Sequence, residues 1–182
     1  YSEAFRNVRS SLLYMALEGS RPKCLLITSA IPGEGKSTVA ANLAITMANA
    51  GSRILLVDAD LRKGVLHNRF GLPGEPGFSE ALSKGLNWEE AVHQTSTPNL
   101  FLLPRGATTQ KSSEFFIGEV TDKFLKQASA KYDYVMLDTA PVMAADDVTS
   151  LAPNIDGVVF LIRAEYTSAR IARAALELLY QR

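Results

Sequence analysis

The sequence is short of cysteine, of net charge and of long apolar runs, and each shortage excludes a class of protein. Cys24 alone cannot form an internal disulfide, and its place in an apolar run favours a buried thiol in a reducing cytosol. The 19 basic and 19 acidic residues cancel, so the total charge predicts no attraction to nucleic acid. No stretch approaches the roughly 20 apolar residues that span a bilayer, and no signal-peptide pattern opens the chain. We therefore expect a soluble chain without a nucleic-acid partner.

Length and composition predict one domain over residues 1–182. A hydrophobic content of 47% in a chain of this length is enough for one substantial core. Short apolar runs predict strands, and apolar residues at three- and four-residue spacing predict helices. The predicted strands cover residues 24–29, 53–58, 100–103, 134–138 and 157–163. The predicted helices cover residues 36–50, 112–131 and 168–180, and short helices are expected within 78–97.

The order of these elements predicts the architecture. Strands that alternate with helices form a mostly parallel central sheet with a helical layer on each face, which is an α/β three-layer sandwich. Because the strand runs lack polar alternation, we expect them to be buried on both faces of the sheet. Residues 71–77 contain two prolines and three glycines, a composition that predicts a surface connection.

A phosphate-binding loop follows the first predicted strand. Residues 30–38 read AIPGEGKST, which matches the P-loop pattern except that alanine stands at the usual first glycine. The two glycines let backbone N–H groups approach phosphate oxygens, the lysine reaches the β- and γ-phosphates, and the serine offers its hydroxyl to Mg²⁺. We therefore predict ATP and Mg²⁺ as ligands. The predicted nucleotide-binding residues of this loop are Gly33, Glu34, Gly35, Lys36, Ser37 and Thr38.

Two further predicted strands end in carboxylates. Asp58 and Asp60 are two residues apart at the end of an apolar run, and side chains at that spacing in a strand share a face. Two nearby carboxylates repel each other unless a cation lies beside them. Asp138 ends another apolar run and resembles a Walker B carboxylate, which holds Mg²⁺ through water. Since ligands of parallel sheets gather at the carboxyl ends of strands, the three motifs predict one crevice with Ser37, Asp60 and Asp138 around the metal.

These motifs, in this order, resemble the bacterial tyrosine kinases. Asp58, Asp60 and Arg62 match the Walker A′ pattern of that family, and Asp138 and Pro141 match its Walker B pattern. The resemblance implies a P-loop NTPase fold of the deviant Walker type. It also implies an ATP-dependent protein-tyrosine (auto)kinase that regulates capsular or exopolysaccharide synthesis and export. A membrane-spanning co-polymerase would be the activator, fused or separate, and would hold the domain at the cytoplasmic side of the bacterial inner membrane.

The first 18 residues predict an amphipathic helix with a charged stripe. Glu3, Arg6 and Arg9 match the Glu-x-x-Arg-x-x-Arg segment of the same family, and the resemblance implies a subunit interface in a ring-like homo-oligomer. Intrahelical pairing of glutamate with arginine three residues on is the alternative, and such a pair stabilises a helix by only about 0.2 to 0.5 kcal/mol.

The resemblance implies transfer to a tyrosine hydroxyl, whose unperturbed pKa of about 10 calls for a general base. We assign that role to Asp58, with Asp60 and Asp138 arranging Mg²⁺ and Lys36 neutralising charge on the transferred group. Arg163 ends the last predicted strand and is expected to line the nucleotide base; a plain strand end before a helix N-cap is the alternative. The resemblance also implies phosphorylation of a C-terminal tyrosine cluster, which we expect to be absent or truncated in these residues, because Tyr180 alone lies near their end.

Two other functions remain open on the sequence. A partition or cell-division ATPase of the Par and Min type would use the nucleotide as a dimerisation switch, but such proteins carry a signature lysine where this chain has Ile31. A nucleotide-binding scaffold without kinase activity would retain the same phosphate-binding residues. Because all the predicted phosphate- and Mg²⁺-binding residues are present, the sequence does not support an inactive domain.

Overall fold

The computed structural model describes residues 2–19 and 21–181, in which helices flank a six-stranded sheet. The strands are β1 Cys24–Ser29, β2 Ile54–Asp58, β3 His93–Gln94, β4 Leu100–Leu103, β5 Tyr134–Asp138 and β6 Gly157–Leu161. The α-helices are α1 Ser2–Leu17, α2 Lys36–Asn49, α3 Leu66–Phe70, α4 Phe78–Ser83, α5 Ser112–Phe116, α6 Glu119–Lys131, α7 Asp147–Leu151 and α8 Ala169–Tyr180. Single 3₁₀ turns cover Trp88–Ala91 and Ala152–Asn154.

The sheet is mostly parallel, as the alternation of strands and helices predicts. Its strand order is β3-β4-β2-β5-β1-β6, and the short β3 alone pairs antiparallel, against β4. The central strands β1, β2 and β5 are buried along their whole length. Parallel strands that are covered on both faces have continuous apolar sequences. The predicted bounds of these three strands therefore agree closely with the observed ones.

Alternate residues of each central strand pack into different helical layers. In β1, Leu25 and Ile27 join a cluster with Leu12 of α1 and Leu43 of α2. Leu26, which lies between them, joins the opposite cluster that contains Phe124 of α6. This alternation follows from the two-residue period of a strand. The predicted three-layer α/β sandwich is confirmed.

Two stretches depart from the predicted elements. The helix predicted over residues 112–131 is two helices, because α5 ends at Phe116 and α6 begins at Glu119. Gly118 lies between them with φ at 123°, a conformation that interrupts a right-handed helix and that side chains rarely adopt. Within residues 78–97 the structure has α4, a 3₁₀ turn and also β3, a strand too short for the sequence pattern to reveal.

The expectation of full burial is wrong for β6. This strand lies at the edge of the sheet, and Val158 keeps 43% of its surface exposed. The strand also ends at Leu161, two residues before the predicted end at Arg163. An edge strand can retain an apolar sequence without a complete covering layer, so its composition did not distinguish it from the central strands.

The described part of the N-terminal helix is α1, which packs on α2 through Phe5 and Leu12. Tyr1, included in the predicted helix, lies outside the described residues. Glu3 and Arg6 are exposed, and no ion pair joins Glu3 to Arg6 or Arg9 in the described part of the chain. The alternative of intrahelical pairing therefore receives no support. Across residues 2–19 and 21–181, no helix is both long enough and apolar enough to cross a membrane.

Candidate nucleotide and phosphotransfer site

The P-loop joins the end of β1 to the start of α2. Gly33 and Gly35 have φ angles of 88° and 85°, in the left-handed region where glycine is favoured. Gly35 is the N-cap of α2 and supplies no side-chain hydrogen bond to the helix. The first N–H groups of α2 are therefore not capped by a side chain, and a helix N-terminus of this kind is a favourable place for a phosphate group.

A cavity of about 430 Å³ opens over the P-loop. It is lined by Ser29, residues 32–38, Asp60, Arg62, Lys63, Gln110, Ala140, Pro141, Ala144 and Ala145. These residues come from the end of β1, the P-loop and the first turn of α2, and from the loops that follow β2 and β5, together with one residue of the loop that precedes α5. The three predicted motifs do meet at one crevice, at the carboxyl ends of the parallel strands.

Lys36 forms a buried ion pair with the Walker B carboxylate. Its Nζ lies 2.9 Å from Oδ1 of Asp138, and the second oxygen of Asp138 is buried without a hydrogen-bond partner. Burial raises the pKa of Asp138, while the Lys36 ammonium and a hydrogen bond from Ser37 act in the opposite direction. The lysine, serine and aspartate predicted to handle phosphate and Mg²⁺ thus lie in mutual contact.

Asp58 is fully buried beside Asp138 on the adjacent strand. The β2–β5 register pairs the two residues directly. Oδ2 of Asp58 accepts the N–H of Leu66 at 3.0 Å, whereas its Oδ1 is buried without a partner. Burial, with repulsion from Asp138, raises the pKa of Asp58 to about 8. Neither carboxylate is among the residues that line the cavity.

Asp60 lies beyond the end of β2 and does line the cavity. Its Oδ1 accepts the N–H groups of Arg62 and Lys63 at 3.3 and 3.0 Å, which holds the turn after the strand. Asp60 is close enough to raise the pKa of Asp58 by repulsion. The Walker A′ carboxylates therefore approach each other through this turn, and not through the shared strand face that the sequence suggested.

The donor set at this place fits a hard cation that keeps some of its waters. Oδ2 of Asp138 is buried and unpaired, which is costly unless a cation or water satisfies it. In residues 2–19 and 21–181, no group of three or more histidine, cysteine, aspartate or glutamate side chains is arranged to hold a metal alone. Mg²⁺ does not require such a group, because it is often bound by one or two carboxylates together with water and substrate phosphates.

Glu34 and Thr38 use their side chains to brace the loop. The Glu34 carboxylate accepts hydrogen bonds from the Ile31 N–H at 2.9 Å, the Arg163 N–H at 3.3 Å and the Thr167 hydroxyl. Burial favours a higher pKa for Glu34, but these hydrogen bonds outweigh burial and the pKa is lowered. Oγ1 of Thr38 accepts a hydrogen bond from Arg69 at 2.7 Å.

Arg163 contacts the P-loop itself. Its Nη1 donates to the Gly33 carbonyl at 2.9 Å, and its guanidinium lies 4.9 Å from the centre of the Tyr166 ring. Tyr166 Oη donates to the Pro32 carbonyl at 3.0 Å. Arg163 is not among the cavity-lining residues, and Ser168 caps α8 through a hydrogen bond that its side chain accepts from the Ile171 N–H.

Comparisons with known proteins identify the family of this chain. A family model described as an AAA domain matches residues 23–172. The tyrosine-protein kinase YwqD of Bacillus subtilis strain 168 is 36% identical over 178 residues, which is 98% of this chain and 75% of YwqD. The chain belongs to the bacterial tyrosine-protein kinases. Another relative, the succinoglycan biosynthesis transport protein ExoP of Rhizobium meliloti strain 1021, is 32% identical over 97% of this chain but only 23% of its own length.

Solved structures place this member of the tyrosine-protein kinase family in the same fold. The kinase domain of the Escherichia coli tyrosine kinase ETK gives a TM-score of 0.93 at 28% identity, covering 99% of this chain and 70% of that one. The septum site-determining protein MinD of Pyrococcus horikoshii, complexed with Mg-ADP, gives 0.73 at 22% identity over 87% of this chain and 65% of that one. At that identity the likeness to MinD shows the fold alone.

Several cavity-lining residues of this tyrosine-kinase family member have no site role predicted from the sequence, among them Arg62, Lys63 and Gln110. Arg62 was noted as part of the Walker A′ pattern but given no role, although it contacts both the cavity and Ser112. Lys63 follows the motif directly, so its position was an available signal. Gln110 lies 48 residues after Arg62 and is hydrogen-bonded to it. No local sequence pattern predicts a contact between residues so far apart in the chain.

Proposed function

We propose that this domain transfers the γ-phosphoryl group of ATP to protein tyrosine, including tyrosines of its own chain, and that it thereby regulates capsular or exopolysaccharide synthesis and export. One observation carries the proposal: Lys36, at the start of α2, is paired with a buried Walker B carboxylate that lies directly beside Asp58. Phosphoryl transfer depends chiefly on positioning and charge stabilisation, and this cluster can supply both at the edge of the nucleotide cavity.

Within this proposal the P-loop backbone from Gly33 to Thr38 holds the phosphates, and Lys36 offsets charge on the transferred group. Ser37, Asp60 and Asp138 would hold Mg²⁺, directly or through water. When bound, Mg²⁺ neutralises phosphate charge and orients the β- and γ-phosphates. Glu34 and Arg163 contribute through the shape of the loop, because their side chains bind its backbone.

Asp58 is the proposed base for the acceptor tyrosine. A phenol with an ordinary pKa of about 10 must lose its proton as its oxygen bonds to phosphorus. The pKa of Asp58 is raised to about 8, which brings the carboxylate close to the basicity that a general base needs near neutral pH. The partnerless Oδ1 of Asp58 leaves one oxygen available for that proton.

The assignment of roles is tested by replacing each aspartate with asparagine. Mg²⁺-dependent ATP affinity and phosphotyrosine formation are measured on the same samples of Asp58→Asn, Asp60→Asn and Asp138→Asn. We expect Asp58→Asn to retain ATP affinity while losing phosphotyrosine. The other two variants should lose Mg²⁺-dependent affinity as well. Loss of ATP affinity in Asp58→Asn would contradict a base-only role for that residue.

The proposed partners are further copies of the chain and an activator. Glu3, Arg6 and Arg9 on α1 are proposed to form a subunit interface in a ring, because Glu3 and Arg6 are exposed and Glu3 is unpaired in the described structure. A membrane co-polymerase, fused or separate, is the proposed activator, and it would keep the domain at the cytoplasmic side of the bacterial inner membrane. Residues 1–182 act as one catalytic domain in this proposal.

A nucleotide-switch ATPase of the Par and Min type is the second candidate, favoured by the shared fold. Ile31 argues against it, since this side chain packs against the core and takes the place of the signature lysine. The two functions differ in a simple measurement. A switch forms a dimer on binding ATP and releases only inorganic phosphate, whereas the kinase leaves phosphate on tyrosine. A nucleotide-binding scaffold would bind ATP and do neither.

A further inference from the structure

Asp147, at the start of α7, is a buried carboxylate to which the proposed reaction assigns no role. Its side chain is fully buried. The hydroxyl of Ser112, also fully buried, lies 2.8 Å from both carboxylate oxygens. A buried carboxylate is costly unless a charge and hydrogen bonds compensate it. The cation that compensates Asp147 is Arg62, whose Nη2 is 3.8 Å from Oδ1.

Arg62 connects this buried pair to the nucleotide cavity. Its Nε donates to Ser112 Oγ at 3.0 Å, and its Nη1 donates to Gln110 at 3.4 Å. The same side chain is 26% exposed and lines the cavity with residues 32–38 of the P-loop. A guanidinium carries five N–H donors, so these two hydrogen bonds leave donors available to a phosphate oxygen.

The anchoring has a physical consequence for phosphate binding. A free arginine side chain has many rotamers, and this rotamer entropy is lost when the side chain fixes a ligand. Ser112 and Asp147 already restrict Arg62, so much of this rotamer entropy is lost on folding, before the nucleotide binds. Lys63 also lines the cavity, yet its side chain has no hydrogen-bond or ion-pair partner in the described structure. Arg62 is therefore the pre-organised cation of this side of the cavity.

We propose that Asp147, acting with Ser112, is a positioning residue that holds the Arg62 guanidinium against the phosphates of ATP. The proposal rests on the proposed function in one respect, that ATP is the phosphoryl donor, and it does not depend on which group accepts the phosphate. Asp147 itself contacts neither nucleotide nor acceptor. Its effect on turnover passes through Arg62.

A double-mutant cycle tests this dependence. The chains compared are wild type, Asp147→Asn, Arg62→Lys and the double variant, and the quantity measured is kcat/KM for Mg²⁺-dependent release of ADP. We expect each single variant to lose about tenfold or more, since a misplaced binding group has effects of that size. The double variant should be no worse than Arg62→Lys alone, because residues that act through one another are non-additive. Losses that multiply in the double variant would overturn the proposal.

The matched control is Asp146→Asn. Asp146 is the exposed neighbour of Asp147, and its side chain makes no hydrogen bond in the described structure. It should keep wild-type kcat/KM, and a loss equal to that of Asp147→Asn would also contradict the proposal. Thermal unfolding of every variant separates a loss of fold from a loss of positioning.

Ser112→Ala provides a second cycle if Asp147→Asn does not fold. It removes the hydroxyl that joins Arg62 to Asp147 but leaves both charges, and its loss should likewise vanish in the Arg62→Lys background. Measuring ADP release keeps this outcome distinct from the proposed function. ATP consumed without phosphotyrosine would overturn the kinase activity and still leave the coupling between Asp147 and Arg62 measurable.

Discussion

Lys36 and Asp138 form an ion pair in which both side chains are almost inaccessible to water. Their atoms Nζ and Oδ1 are 2.9 Å apart, and the side chains are 9% and 0% exposed. Removing one partner of a buried pair leaves an uncompensated charge, which costs more than the pair contributes. Lys36, which is proposed to contact phosphate, therefore also stabilises the folded state.

Lys36→Met should remove phosphotyrosine formation by at least about a hundredfold, because it deletes the cation opposite the transferred group. It should also lower the melting temperature at pH 8, where Asp138 is left beside Asp58 without its ammonium partner. The matched variant is Lys36→Met combined with Asp138→Asn. It should regain stability but not activity, as differential scanning calorimetry and a phosphotyrosine assay will show. Equal melting temperatures for both variants would contradict the buried-pair account.

Asp58→Asn should change the pH dependence of stability. The pKa of Asp58 is about 8 in the folded chain and about 3.9 when unfolded. The folded chain thus holds a proton that the unfolded chain has lost. The associated stability is complete below about pH 4 and is lost as the pH rises through about 8. The variant should match the wild type in melting temperature at about pH 4 and exceed it by a growing margin up to about pH 8. A constant difference across this range would argue against the raised pKa.

Gly64→Ala should damage the site by contact with Asp58. A Cβ at Gly64 would lie 2.0 Å from Asp58 Oδ1, so either the carboxylate or the loop that holds it must move. We expect phosphotyrosine formation to fall by about tenfold or more, since small displacements at reacting groups have effects of this size. Gly71→Ala is the matched control. Gly71 has a φ of 64° but no atom within 4 Å of its Cβ position, so that variant should lose stability and keep activity.

Thr167→Val should weaken ATP binding although the residue is outside the cavity. It removes a hydroxyl that donates to the Glu34 carboxylate, and a buried carboxylate that loses a hydrogen bond is destabilised. Tyr166→Phe, which removes only the contact to the Pro32 carbonyl, should have a smaller effect. Tyr180→Phe alters a side chain that is 86% exposed and should change nothing. Calorimetric ATP affinities in the opposite order would exclude the proposed bracing of the loop.

The sequence predicted those features that depend on residues close together in the chain, and missed those that depend on contacts between distant residues. The P-loop follows an apolar run that is buried on both faces, and Asp58 and Asp138 each end another. Pattern and position alone therefore predicted their places at the carboxyl ends of adjacent parallel strands. The role of Glu34 could not be obtained in that way. Its carboxylate binds the backbone of Arg163, which is 129 residues away in the chain.

The errors have the same origin. Full burial was predicted for β6 as for the central strands, because nothing in its apolar run indicates that it lies at the edge of the sheet. The break between α5 and α6 depends on the positive φ of Gly118, whereas the apolar spacing continues across it. No local pattern identifies Asp147, since nothing around it in the sequence indicates that Arg62 is its partner.

The central claim is that the γ-phosphoryl group reaches tyrosine. The most direct measurement incubates the full-length protein with Mg²⁺ and γ-labelled ATP, with the activator region supplied, and determines how the label divides between phosphotyrosine and inorganic phosphate. We predict label on tyrosine, identified by mass spectrometry and absent in Lys36→Met. Label found only in inorganic phosphate, with ATP bound and consumed, would contradict the kinase account and favour a nucleotide switch.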